Sequence, residues 1–340
     1  MCKKLYIIGN GFDLHHGLKT RYTNFADYVK EHNQPLYYLL ESHFTYPKGE
    51  TLWYRFEENL ANLDVENVMS DNSDLEPDIA SDDFHSSDME RLPDRTREIV
   101  ELLTEHLLFD FKAFIRAVDF PSSVAEKKLK IDVTATFLNF NYTNTLESVY
   151  GIKSPQIIYI HNSADSYNNL VLGHGMDPKR FDEKLPEPPE DVSEENYKEW
   201  YEQNIDTYYP TAEGRSNLME YFARSFKPTM EIIQHNKSFF KKLTHIRQVW
   251  VLGHSLSEVD LPYFQEVKMN ISRCASWYVS YYDEREKERH LNTLVHLGIR
   301  KCRIKLFPLD EIQANNRQLK MDLKLSTKRI ESIIRRLVGA

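Results

Sequence analysis

"KKLYIIGNGFDLHHGLKTRYTNF", residues 3–25, decides how the rest of the chain is read. Leu5, Tyr6, Ile7 and Ile8 are apolar without polar alternation, which predicts a short strand buried on both faces. Gly9 and Gly11 follow at once and allow a tight turn and a close backbone approach. The turn feeds a helix starting near Phe12, whose free N–H groups could meet a phosphate. A glycine-rich turn with no ligand has the same sequence, so G-x-G alone does not separate the two readings.

A dinucleotide-binding dehydrogenase would need a second strand soon, ending in an acidic residue ~20 residues past the glycines. This chain has none. From Asn24 to about Leu63 apolar residues recur at helical spacing (Phe25, Tyr28, Val29; Phe56, Leu60, Leu63). Residues 64–90 carry ten Asp and Glu and no Lys or Arg, the composition of a solvated or disordered loop. A second amphipathic stretch runs from about Pro93 to Val118. Strand signals return at "VTATFLNFNYTNTLE" (133–147), "IIYIHN" (157–162), "LVLGHG" (170–175), "VWVLGHSLSEVD" (249–260), "WYVSYYD" (277–283) and "CRIKLF" (302–307). Helices are expected between them, among others over 216–243 and 284–297. Residues 182–214, with Pro186, Pro188, Pro189 and many acids, read as a loop or a small excursion.

This alternation predicts an α/β fold: a three-layer, Rossmann-like, mainly parallel sheet with a large helical insertion after the first βα unit. The expected division is a nucleotide-binding core of 3–23 plus 132–310, an insertion of 24–131 with its acidic loop at 64–90, and a C-terminal helical segment of 311–340. Of 340 residues, 41% are hydrophobic and 28% charged, as in an ordinary globular protein. No run reaches the ~18 apolar residues of a spanning helix. With no signal-peptide pattern and three well-separated cysteines, the expectation is a cytoplasmic protein without a membrane partner. A net charge of −9 argues against a general nucleic-acid binder.

Ligands of open parallel sheets bind outside the carboxyl ends of the strands. Four expected strands end there in polar groups: Gly9-Asn10-Gly11-Phe12-Asp13, Asn139 to Asn144, His161-Asn162, and Gly253-His254-Ser255-Leu256-Ser257. Asn144 and Ser257 are natural helix caps. His161 is either a satisfied core histidine or a base facing a cleft.

The four blocks "IIGNGFDLHHGLKTRYTNF", "FNYTNTLE", "IIYIHN" and "VLGHSLSEVDLPYF" resemble the AbiH family of bacterial abortive-infection proteins, in the family's order. AbiH proteins look distantly like sirtuin-type NAD-binding domains. That resemblance places Asn141 and His161 at the catalytic Asn and His, and Gly9, Gly11, Asp13 and Gly17 in the pyrophosphate loop. Asn10, Phe12, Thr20 and Tyr22 belong to the same nucleotide-binding group, with Gly253, Ser255 and Asp260 on its far side. The sirtuin zinc cysteines are absent, Asn162 stands where many relatives have Gly, and Asn10 replaces a small Ala. The resemblance therefore implies an antiphage effector that hydrolyses NAD as a substrate, without a metal, rather than a deacylase. The phage trigger and any homo-oligomer are left open.

Two other readings compete. A nucleotide-sensing defence protein would keep the same pocket without turnover. A serine hydrolase would use "GHSLS" as a nucleophile elbow, with Ser255 as nucleophile and Asp283 and His296 in the required chain order. Its final glycine is missing, replaced by Ser257.

Overall fold

A computed structural model of the chain describes residues 3–182 and 208–314 and, between them, 193, 197, 198, 200 and 201. The strand β1 (Lys4–Ile8) leads into α1 (Asn10–His15), then α2 (Tyr22–His32), α3 (Gln34–Ser42), α4 (Phe56–Asn59) and α5 (Val65–Asp71). The helices α6 (Arg91–Glu101) and α7 (Leu107–Arg116) run on through a π-turn, and β2 (Thr136–Asn139), α8 (Thr145–Tyr150) and β3 (Ile157–Tyr159) follow. Next come α9 (Tyr209–Arg224), α10 (Thr229–His235), α11 (Lys237–Lys241), β4 (Gln248–Leu252) and α12 (Leu261–Asn270). The last described elements are β5 (Ser276–Tyr281), α13 (Glu284–His296), β6 (Ile304–Pro308) and α14 (Glu311–Ala314).

The six strands form one sheet in the order β3-β2-β1-β4-β5-β6, and every pairing is parallel. This is the 3-2-1-4-5-6 order of doubly wound α/β sheets, whose direction of winding reverses between β1 and β4. The apolar run of β1 is explained by cover on both faces. Leu5 and Ile7 join one cluster with Val249, Val251, Tyr263 and Phe264, while Tyr6 and Ile8 join another with Phe137, Leu146 and Tyr278. On the second face, register partners stack as an aromatic row. Tyr6 meets Phe137 at 5.3 Å and Trp250 at 6.1 Å, and Trp250 meets Tyr278 at 4.2 Å. Each such pair is worth about 0.5–1.5 kcal/mol beyond its area.

Between β1 and β2 the assigned elements are helices, built on a third cluster that includes Phe25, Phe56, Leu103 and Phe111. That cluster crosses the expected boundary at residue 131: Tyr142, Leu172 and, from α9, Leu218, Tyr221 and Phe222 belong to it. The acidic stretch is not all loop. Asp64 caps α5 through the Asn67 amide, and Val68 and Met69 are buried. "LVLGHG" is not a strand either, since His174 makes only an isolated bridge to Phe226. The helix expected over 216–243 breaks at Ser225, and Pro228 disfavours helical backbone at the residue before it. Residues 209–214 of the expected loop are the first turns of α9; Pro186, Pro188 and Pro189, and residues 315–340 of the C-terminal segment, lie outside the described residues.

The loops leaving β1 and β4 touch backbone to backbone. Gly9 donates to the Leu252 carbonyl at 3.0 Å and Gly11 to the Gly253 carbonyl at 2.7 Å. Gly253 has φ +65, and a Cβ there would lie 2.1 Å from the Phe12 nitrogen. No side chain fits between them. Gly253→Ala is therefore expected to lower the thermal unfolding midpoint by roughly 5 °C or more. A melting curve that matches the parent protein would refute this account of the contact.

Candidate functional site

All strands being parallel, the ends of β1, β2 and β4 and the turn after β3 share one edge. The first loop is fixed by its own hydrogen bonds. Asn10 and Thr20 pair reciprocally, with Asn10 Nδ2 donating to the Thr20 carbonyl at 2.9 Å and Thr20 Oγ1 donating to Asn10 Oδ1 at 2.6 Å. Gly17, at φ +86, ends α1: its amide meets the Leu14 carbonyl and the Leu18 amide meets that of Asp13. This is a glycine helix stop. The amides of Gly9 and Gly11 are taken by carbonyls at the end of β4 and that of Phe12 by the Gly9 carbonyl, so these N–H groups are already bonded in the packing of the two loops.

Asp13 anchors the first of two polar clusters. It is buried, and it accepts from Thr143 Oγ1 at 2.6 Å and Thr145 Oγ1 at 2.7 Å, tying α1 to the start of α8. Burial raises its pKa to about 6, against the pull of Thr143, Thr145 and the nearby Asn141 amide. Asn141 Nδ2 is itself buried and, among the described residues, makes no hydrogen bond of ordinary geometry.

The second cluster centres on a lysine that sequence reasoning missed. The Lys227 side chain has no exposed surface; its ammonium donates to Glu57 Oε2 at 2.8 Å and Asp260 Oδ1 at 3.1 Å. Burial disfavours that charge, but Asp260 and Glu57 together hold its pKa above the usual lysine range. Glu57 Oε1 accepts from Tyr22 at 2.6 Å, and Asp260 Oδ2 accepts from Ser257 at 3.0 Å. Three layers of the fold thus meet on one ammonium: Glu57 and Tyr22 from the helices, Asp260 from the sheet edge, and Lys227 from the break between α9 and α10.

His161 lies two residues beyond β3 and is buried against the rings of Phe140, Tyr142 and Tyr263. Its Nε2 stands 3.7 Å from Asp260 Oδ1 and has no hydrogen-bond partner among the described residues. Burial, then the Lys227 charge and His254, hold its pKa well below the usual histidine range, with a hydrogen bond to the Phe140 backbone opposing them. His254 accepts the Leu256 amide on Nδ1 at 2.9 Å, which leaves its proton on Nε2, 3.5 Å from Asp260 Oδ2. Burial first, and then His290 and Lys227, push its pKa down to about 3.

The structure thus brings Tyr22, His161 and Asp260 together, and separately Asp13 and Asn141. Asn10 and Ser255 are exposed. Asn162 has φ +65 and bonds the Asn169 carbonyl, a left-handed backbone that Asn tolerates and Gly adopts freely. Asn144 and Ser257 hold the N-cap positions, but their side chains bond Asp165 and Asp260 instead of helix amides. The hydrolase triad does not form. Asp283 caps the first turn of α13 and His296 ends that same helix, about 20 Å away along its axis. Lys227 left only a faint signal in the sequence, a cation between Phe226 and Pro228. Glu57 left another, an acid four residues after Trp53 on an apolar helix face.

A six-stranded parallel sheet in doubly wound order, with buried polar groups gathered at its carboxyl edge, defines a protein of the α/β class. Residues 5–281 match the family model described as bacteriophage abortive infection AbiH. The chain belongs to that family, and its role is in abortive-infection defence against phage. Comparison with curated proteins gives no match, and comparison with solved structures gives none. No described helix is long and apolar enough to cross a membrane.

The buried groups also set how stability depends on pH. His16, lowered to about 4 chiefly by burial, joins His161 and His254 in refusing protons that the unfolded chain binds below about pH 6.5. Asp13 acts in reverse, since the fold keeps a proton up to about pH 6 that the unfolded chain releases near 3.8. Burial also lowers the buried His174 and His290 and raises Glu58, so the histidines outnumber the carboxyls, and between about pH 6 and 4 these groups make stability fall with falling pH. Each net proton contributes on the order of 1.4 kcal/mol per pH unit. Asp13→Asn removes the opposing proton, so its stability should fall more steeply over the same window. Urea midpoints at several pH values measure both slopes, and a shallower slope in the variant would contradict the assignment.

Proposed function

We propose that this phage-defence protein cleaves the N-glycosidic bond of NAD or a close relative, with His161 as general base. The observation that carries the reading is a buried imidazole, held neutral, whose Nε2 has no partner among the described residues and sits beside a charged network. In the reaction a water attacks C1′ of the nicotinamide ribose, the C1′–N bond breaks, and nicotinamide departs neutral. His161 Nε2 takes the proton of the attacking water, a contribution of typically ~10²–10⁴ in rate.

Charge supports the same chemistry. Glu57 and Asp260 carry two negative charges against one on Lys227. The excess carboxylate favours a cationic pyridinium and the oxocarbenium-like ribose that forms as it leaves. Asn141 lies in the other cluster, where its amide faces the Asp13 carboxylate and could turn to a ribose hydroxyl. A dinucleotide is long enough to engage both clusters, with Asn10 and Ser255 at the rim. The packed glycine loop offers few free amides, so the diphosphate rests on other groups than the resemblance implied.

A second reading, nucleotide sensing without turnover, is favoured by how deeply His161 is buried, at 2% exposure. The two separate on the release of free nicotinamide from NAD, measured in phage-infected cells and with purified protein. His161→Ala should abolish release while nucleotide binding persists, because the base acts on the transition state. Ser255→Ala should cost less than about tenfold. Full activity in the His161 variant beside an inactive Ser255 variant would overturn the proposal.

A further inference from the structure

Lys227 is the least expected charge in the molecule. Its backbone is clamped: the Lys227 amide donates to the His174 carbonyl at 2.8 Å, and the His174 amide donates to the Ser225 carbonyl at 3.0 Å. A Cβ on Gly173 would lie 2.0 Å from that Ser225 oxygen, so the two segments touch without a side chain between them. The ammonium is thereby delivered to a fixed point. A buried ion cluster used only as a tie between layers is rarely better than apolar packing of the same volume. The geometry around Asp260 gives the lysine a more specific task. Asp260 Oδ1 is 3.1 Å from Lys227 Nζ but 3.7 Å from His161 Nε2, so the carboxylate is bonded to the lysine and not to the imidazole.

We infer that Lys227 is a positioning residue of the site, which draws Asp260 off His161 and so leaves the imidazole neutral with Nε2 free. Without the ammonium, Asp260 is the nearest acceptor for a proton on Nε2. The two would close into a hydrogen-bonded ion pair, and a histidine locked in that pair cannot act as a base. Burial comes first in keeping the ring neutral, and the charged and titratable groups facing it set the rest: Lys227 and His254 against its protonated form, Asp260 for it, with Tyr142 and Tyr263 packed on the ring. Glu57 completes the arrangement from the helical layer, because it shares the ammonium and is itself held by Tyr22. The claim that His161 works as a base rests on the function proposed above. The effect of Lys227 on His161 does not.

The test is the protonation of His161, followed by NMR of its ring in the full-length protein and assigned by the signal lost in His161→Ala. In the parent chain the ring should stay neutral from about pH 7.5 to 5.5. In Lys227→Met it should titrate within that range, its midpoint raised by roughly 1 unit or more. If Lys227→Met does not fold, the double variant Glu57→Gln/Lys227→Met removes one charge of each sign and should show the same rise. Glu66→Gln, which breaks the exposed pair with Arg215, should leave the ring unmoved. Where NAD cleavage is measurable, the acid limb of its pH profile should move upward with the NMR midpoint. A chain that never cleaves NAD would sink the proposed reaction and leave the NMR result standing. A His161 ring that stays neutral in the folded Lys227 variants would make the lysine a structural tie and overturn the inference.

Discussion

An ammonium taken wholly out of water must find its countercharges in place, since the effective penalty for each uncompensated buried ion is several kcal/mol. That constraint organises this molecule. Lys227 can be buried only if Glu57 arrives from the helices and Asp260 from the sheet edge in the same folded state. The helical layer and the sheet are therefore not two independent bodies joined by a linker. They share a charge, and α9 packs with the helices before the chain enters β4 and returns to the sheet. The position of Asp260, and with it the surroundings of His161, follows from satisfying the lysine.

The second constraint is steric. Where the direction of winding changes, between β1 and β4, a doubly wound sheet ordinarily opens a crevice. Here Gly9, Gly11 and Gly253 let the two loops close on each other, and their backbone groups hydrogen-bond across the gap. The polar groups left for chemistry are displaced to either side. Asp13 and Asn141 lie on one side, and His161, His254, Asp260 and Lys227 on the other.

Much of the architecture could be read along the chain. Six of the seven stretches read as strands are strands, because runs such as Leu5 to Ile8 and Val249 to Leu252 have no polar alternation and must be covered on both sides. "LVLGHG" misled because its apolar residues pack into the helical cluster, where no neighbouring strand offers a ladder. The acidic stretch misled because a local cap at Asp64 and two buried side chains outweigh its mean composition over one helix. The break at Lys227-Pro228 was hidden inside an apolar run that otherwise keeps helical spacing.

By itself, the sequence determined what depends on near neighbours: the alternation of strands and helices, the tight glycine turns, and which strand ends carry polar groups. It also carried the four blocks by which the chain is placed in the AbiH family. Only the tertiary structure decided what those polar groups face. Lys227 meets Glu57 across 170 positions of sequence and Asp260 across 33. A local pattern holds no trace of such pairing, because the charge is stabilised by groups that become neighbours only after the layers have packed.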